Sequence, residues 1–334
     1  MNYYTDRNFS CGKYREFENA RTISIVGADI AEKGRIIEAV GEIFAESKPD
    51  FYFSPCDREL PYAVYLPDRN ILVTGGYIKK AEEKITSRTY DISSVIGLKA
   101  APAEEIVGYT MNQSRSYMQK YLDLLGMTDY LLREYVRNGS ELLYQDRAEA
   151  YAARKISSML EKRLVSGTVI HRSVSAITCE GYRFVKLPPE TEVIRLSDRL
   201  LAAEQCFVKT AAAVACKLGY DVILSGAVDL IHSPIHLYIP GASLLFISES
   251  PLLPERFPEC KKISLERFYS RGLTASREHY SDFFGEYIRR MFSESALYAR
   301  ICMDIRSQGR KLLAPFISEQ SVSVLAAEII QSLQ

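Results

Sequence analysis

The feature that most constrains the fold is a pattern of apolar segments that occurs twice along the chain. Six short segments are typical of buried strands, at residues 22–26, 51–53, 71–74, 193–196, 221–224 and 244–248. Between the first two segments of each set, apolar residues follow the spacing of an amphipathic helix. A strand–helix–strand segment of this length predicts that the two strands pair in parallel through a right-handed crossover.

The two sets align as an internal repeat, although few residues are identical. The aligned pairs are Gly27 with Asp198, Lys33 with Glu204, Asp50 with Asp221, Ser54 with Ser225 and, after a two-residue insertion in the second set, Pro67 with Pro240 and Leu72 with Leu245. A long Tyr-rich helical region follows each set, at about residues 110–165 and 262–334. We therefore predict an α/β protein of two similar halves, residues 1–167 and 168–334, each with a helical appendage.

Composition narrows the possible partners. The 42 basic residues equal the 42 acidic residues in number, which gives no support for a nucleic-acid or anionic-membrane partner. The N-terminal residues are polar, unlike a secretory signal, and no apolar run approaches the ~18 residues of a membrane span. Seven scattered cysteines without a C-x-x-C pair are typical of reduced thiols, so we expect a cytoplasmic protein.

The segment VGADIAEKGR, residues 26–35, resembles a phosphate-binding P-loop between a strand and a helix. The P-loop motif G-x-x-x-x-G-K-[ST] is matched by Gly27 and Lys33 but departs at Glu32 and Gly34. Glu32 places a carboxylate where the backbone must approach phosphate closely, and Gly34 removes the hydroxyl that holds Mg²⁺. These four residues are the candidate cofactor-binding residues. The alternative is an ordinary strand–helix turn with a solvent-exposed lysine.

The second half lacks the corresponding chemistry. Asp198 replaces the glycine and Glu204 replaces the lysine, and a carboxylate at that position would repel a triphosphate. We expect an ordinary helix start here, with Ser197 or Asp198 as the N-cap.

A P-loop hydrolase also needs an acidic residue after a neighbouring strand. The first half ends that strand in Thr74, whereas Glu249 follows the matching strand of the half that lacks the lysine.

Other candidate residues form no recognisable catalytic or metal-binding pattern. Cys56 follows a strand but has no histidine nearby in the sequence. His232 and His236 have helical spacing, but Pro234 between them argues against a helix, and no further ligands support a zinc site. We therefore assign no catalytic residue and no metal ligand from the sequence.

With these residues in view, the chain resembles a family of uncharacterised bacterial proteins built from two tandem P-loop ATPase-like halves. The segments that carry the resemblance are residues 171–181 (HRSVSAITCEG, against the family's H-x-x-x-S-A-I-T-x-x-G), 218–222, 236–247, 54–57, 64–75 and 103–107. The resemblance implies two tandem P-loop NTPase-like domains with mainly parallel sheets and helical insertions. Family members carry G-x-P-G-T-G-K-S-type loops, which implies ATP binding for them, but here both loops are degenerate.

Three functions remain open from the sequence. The first is a degenerate P-loop protein without efficient ATP hydrolysis, which acts as a binding or scaffold protein for an unidentified protein partner. The second is a protein that binds ATP, another nucleotide or phosphate through Gly27 and Lys33 of the first loop alone. The third is an active ATPase or another enzyme that reuses the ancestral cleft, through Cys56 or Glu249.

Overall fold

The computed structural model describes residues 1–5, 17, 20–28, 31–76, 88–95, 101–226, 234–249 and 260–333. Within these ranges the helices are α1 (Ala31–Ile43), α2 (Ala101–Ser140), α3 (Gln145–Ser157), α4 (Ala202–Lys217), α5 (Arg271–Leu313) and α6 (Glu319–Gln331). The strands of the first half are β1 (Asn2–Tyr4), β2 (Arg21–Val26), β3 (Asp50–Ser54), β4 (Asp57–Leu66), β5 (Ile71–Thr74) and β6 (Arg88–Asp91). The strands of the second half are β7 (Val169–His171), β8 (Ser175–Thr178), β9 (Gly181–Phe184), β10 (Glu192–Ser197), β11 (Val222–Ser225), β12 (His236–Ile239), β13 (Leu244–Ser248) and β14 (Lys261–Ser264).

The protein has an α/β fold with two mixed sheets of six strands. The first sheet has the order β1-β3-β4-β5-β2-β6, and the second has the corresponding order β7-β11-β12-β13-β10-β14. In each sheet one strand, β4 or β12, runs antiparallel to the others. Strands β8 and β9 form a separate antiparallel hairpin. The same topology in both sheets agrees with the internal repeat.

The six strands predicted from the apolar segments are confirmed, but their predicted pairing is wrong. β2 pairs with β5 and β6, whereas β3 pairs with β1 and β4. Hydrophobic periodicity identifies a buried strand, but it does not show which strand lies beside it. The antiparallel strand β4 was missed, because it begins with charged residues and contains Pro61.

The repeat extends beyond the aligned strands into the helices. β2 begins at Arg21 and β10 at Glu192, 171 residues later, which is the offset of the ungapped alignment. β6 and β14 begin at Arg88 and Lys261, 173 residues apart, as the two-residue insertion requires. The pair α2–α3 corresponds in the same way to the pair α5–α6. Each half therefore consists of a sheet followed by a long helix and a short helix.

The compact units in space are not the halves of the sequence. One unit contains Met1–Leu122 with Ala296–Gln334, and the other contains Asp123–Ser295, so α2 and α5 each contribute to both units. The prediction divided the chain near Gly167 on the repeat in the sequence, which is a different quantity from compactness in space.

The core of the first unit shows why the end of the chain belongs to it. This core combines buried side chains of β2, β4, β5, α1 and α6, among them Ile23, Ile25, Ile37, Val40, Val64, Val73, Leu325 and Ile329. In the second unit α3 packs in the same way along α4, with the rings of Tyr151 and Phe207 6.3 Å apart. Each sheet is therefore completed by the short helix that follows the other half's sheet.

Among the described residues, no helix has the length and apolar character needed to cross a membrane.

Candidate functional site

A cleft of ≈ 290 Å³ opens in the first unit at the edge of the sheet where β2, β3 and β5 end. Val26 and Ser54 are the last residues of β2 and β3, and Gly75 directly follows β5; all three line the cleft. The carboxyl edge of parallel strands is where open α/β sheets usually bind ligands.

Lys33 projects into this cleft from the first turn of α1. Its ammonium group donates hydrogen bonds to the carbonyl oxygens of Gly27 at 3.4 Å and Gly75 at 3.2 Å. The lysine thus joins the residues that follow β2 and β5. Both acceptors are neutral, so these bonds leave the positive charge of Lys33 uncompensated by their own charge.

Gly27 forms a turn that no other residue type could adopt without strain. Its φ is +91°, and a Cβ atom at this position would lie 2.3 Å from Asp91 Oδ1 and 2.4 Å from Ser93 Oγ. The next residue, Ala28, donates its backbone N–H to Ser93 Oγ at 3.2 Å. The turn therefore packs tightly against the residues that end β6.

The two departures from the P-loop motif have separate structural contexts. Gly34 lines the cleft, but a Cβ atom there would lie 2.6 Å from Leu60 Cβ, so a serine or threonine cannot be accommodated without movement. Glu32 forms an ion pair with Arg35 at 3.4 Å and is not among the described residues that line the cleft. Asp29 and Ile30 of the same segment lie outside the described residues.

Three arginines that sequence reasoning missed also line the cleft. Arg115 lies on α2, and Arg306 and Arg310 lie on α5, almost the length of the chain away from Lys33. Arg306 and Arg310 are four residues apart and so share one face of the helix. This spacing was the only signal in the sequence, and it is also common on solvated helices.

The two helices that carry the arginines cross closely beside the cleft. A Cβ atom at Gly309 would lie 2.6 Å from Thr110 Cγ2, so the glycine allows the backbones to approach. The thiol of Cys302 donates to the carbonyl oxygen of Ser114 at 3.5 Å, within the same helix pair. This close packing fixes the positions from which Arg115, Arg306 and Arg310 extend.

The cleft carries an excess of positive charge. Its described lining contains four basic side chains and one acidic side chain, Asp57, which leaves a formal excess of three positive charges. Asp57 is itself paired with Arg310, with an Nη1–Oδ2 distance of 2.5 Å. Such an arrangement favours an anionic ligand, because a concave surface of one charge sign focuses the field within it.

The aligned loop of the second unit is filled by its own carboxylate. Asp198 is fully buried and accepts hydrogen bonds from the backbone N–H groups of Leu200 at 2.9 Å and Glu204 at 2.8 Å. The hydroxyl of Tyr269 donates to the same carboxylate at 2.8 Å. The predicted N-cap at Ser197 or Asp198 is wrong, because α4 begins at Ala202 and its N-cap is Leu201. Asp198 instead satisfies a helix N–H group from outside the cap, where a bound anion would otherwise be favoured.

Glu204, which aligns with Lys33, reproduces the lysine's contact with different chemistry. Ser248 aligns with Gly75 and donates its hydroxyl to Glu204 Oε2 at 3.0 Å. Burial raises the pKa of Glu204 well above its usual value, so this side chain is protonated at neutral pH. Burial also raises the pKa of Asp198 to about 6.

His236 extends this buried polar network on the other side of Ser248. Its Nδ1 accepts the backbone N–H of Ser248 at 3.1 Å, and its Nε2 lies 2.6 Å from the hydroxyl of Tyr182. Burial lowers the pKa of His236 to about 3, so the imidazole is neutral at pH 7. The second loop is thus occupied by a hydrogen-bonded network of protein groups.

The remaining candidates do not line the cleft among the described residues, and their surroundings differ. Cys56 is 0% exposed, so its thiol cannot meet a substrate in this structure. Glu249 forms ion pairs with Arg195 and Lys262, each at 2.8 Å. His232 lies outside the described residues, and no cluster of three or more His, Cys, Asp or Glu side chains suited to a metal occurs within them.

No family model, curated protein or solved structure matches this chain. The resemblance to tandem P-loop ATPase-like proteins therefore stays a prediction. Any functional assignment depends on the geometry of the cleft in the first unit.

Proposed function

We propose that the protein binds a phosphate-bearing ligand, such as a nucleotide, in the cleft of the first unit and does not hydrolyse it efficiently. The proposal includes the finer fold assignment, two tandem P-loop-like halves of which only the first keeps a usable loop. The observation that carries it is the set of basic side chains, Lys33 with Arg115, Arg306 and Arg310, around a cleft at the carboxyl edge of the sheet.

Two structural features support binding without efficient hydrolysis. The side chain of Leu60 occupies the space that a Mg²⁺-binding hydroxyl at position 34 would need. Thr74, at the end of β5, stands where a P-loop hydrolase has an acidic residue. The cleft therefore retains charge for a phosphate but lacks two groups that position the metal for hydrolysis.

The second loop supports a single ligand per chain. Asp198 already accepts the hydrogen bonds that the loop could donate to an anion. The alternative of an enzyme based on Cys56 or Glu249 has no accessible thiol and no unpaired carboxylate to support it. A scaffold role for a protein partner remains compatible with the proposal.

Calorimetric titration and thermal unfolding with ATP, GTP and inorganic phosphate test the proposal. A ligand at about 100 times its dissociation constant should stabilise the folded protein by ~2.7 kcal/mol. Lys33→Ala should weaken binding by about tenfold or more, the effect of losing one charged hydrogen bond. Arg35→Ala is the matched control, because it removes an exposed positive charge from the same helix outside the cleft.

Two results would contradict the proposal in different ways. If no nucleotide or phosphate shifted the unfolding transition, ligand binding in the cleft would be wrong. If the protein turned over ATP at about 1 s⁻¹ or faster and Lys33→Ala abolished it, the absence of efficient hydrolysis would be wrong.

A further inference from the structure

We infer that the cleft selects a polyphosphate group over a single phosphate, and that Arg306 and Arg310 supply the charge that Mg²⁺ supplies in P-loop proteins. The inference rests on the proposed function and specifies its ligand class. A diphosphate or triphosphate group, free or as part of a nucleotide, is the chemistry it assigns to this cleft.

The charge and volume of the cleft fit a polyphosphate. The formal excess of three positive charges exceeds what a single phosphate ion neutralises, and it approaches the charge of a triphosphate. The volume of ≈ 290 Å³ is that of about ten water molecules, which is larger than one phosphate ion requires. A ligand with several linked phosphates can meet both Lys33 on α1 and the arginines on α5.

The arginines are suited to replace a metal ion here. A guanidinium group binds phosphate oxygens through two parallel hydrogen bonds, which fixes orientation as well as charge. Leu60 closes position 34 against a hydroxyl ligand, and the cleft's acidic residue, Asp57, is held by Arg310. The oxygen ligands that Mg²⁺ prefers are therefore scarce in the described lining, whereas guanidinium groups are abundant.

The ion pair between Asp57 and Arg310 makes a second, opposite effect measurable. Asp57 neutralises Arg310 in the absence of ligand, so a polyphosphate must compete with this carboxylate for the guanidinium. Asp57→Asn removes the competing charge and retains a similar shape. This variant should therefore bind polyphosphate more tightly than the wild type does.

Titration with inorganic phosphate, pyrophosphate and tripolyphosphate, each with Mg²⁺ and with EDTA, tests the inference. Affinity should rise at least tenfold from phosphate to tripolyphosphate and change less than twofold when EDTA replaces Mg²⁺. Arg306→Ala and Arg310→Ala should each weaken tripolyphosphate binding about tenfold and leave phosphate binding within threefold of the wild type. Arg306→Lys and Arg310→Lys keep the charge and should show intermediate losses, even if an alanine variant fails to fold.

Arg289→Ala controls for general electrostatics, since it removes an exposed positive charge from α5 outside the cleft. Equal affinity for all three anions, a requirement for Mg²⁺, or an Arg289→Ala loss as large as that of Arg306→Ala would overturn the inference while leaving phosphate binding in place. Binding of none of the three anions and no nucleotide would overturn the proposed function as well. Weaker binding by Asp57→Asn would contradict the competition between Asp57 and the ligand.

Discussion

Asp198 is the residue whose chemistry differs most from its aligned partner, Gly27. Its carboxylate is fully buried and has a pKa of about 6, raised by burial from the usual 3.8. A raised pKa means that the folded state holds the proton more tightly than the unfolded state does. The resulting stability is fully present below pH 3.8 and is lost as the pH rises through about 6.

Asp198→Asn should remove this pH dependence. The free energy of unfolding of the wild type, relative to the variant, should fall by about 3 kcal/mol between pH 4 and pH 7. Denaturant unfolding across this pH range measures the difference, and Glu204 and His236 titrate in both proteins, so most of their contribution cancels. Asp282→Asn, at an exposed carboxylate, should change stability by less than about 0.5 kcal/mol throughout. A wild-type advantage that grows with pH would show that the sign is wrong.

At the scale of the element, the turn between β2 and α1 depends on the glycine at its start. Gly27→Ala should destabilise the first unit by about 2 kcal/mol or more, because it adds a steric clash to an unfavourable φ. Gly108→Ala is the control: this helical glycine has no atom within 4 Å of an added Cβ, so alanine should stabilise by roughly 0.5–1 kcal/mol. Thermal unfolding of both variants decides the matter, and equal effects at the two positions would contradict the assigned role of the turn.

The sequence predicted the elements better than it predicted the site. Apolar periodicity identified the six core strands, and the motif identified Gly27, Lys33 and Gly34, which line the cleft. Arg306 could not be predicted, because its approach to Lys33 depends on how α5 returns to the first sheet. Asp198 was expected to cap a helix locally, since a sequence does not show that several N–H groups converge on one buried carboxylate.

At the scale of the whole molecule, the exchange of helices predicts which fragments can fold. Residues 123–295 form a continuous compact unit, whereas residues 168–334, a fragment of similar length, lack α3. Without α3, the buried side chains of Ala148, Ala152 and Ile156 are missing from the surface of α4. The first fragment should therefore fold alone, and the second should fold only when residues 1–167 are co-expressed with it.

Circular dichroism and co-purification test this expectation. Fragments 1–167 and 168–334 should form an equimolar complex that unfolds cooperatively, because together they restore both compact units. Independent folding of residues 168–334, together with failure of residues 123–295, would show that the halves of the repeat are the true folding units.

The exchange also sets the order in which the molecule can be completed during synthesis. The unit that begins at Asp123 is complete once Ser295 has left the ribosome, whereas the sheet made first must wait for the last helix of the chain. At ~5–20 residues per second, Arg306 follows Lys33 by about 15–60 s. During that interval the nascent chain has the lysine but not the wall of the cleft. A truncated chain that ends before α5 is complete would therefore carry the loop without a binding site.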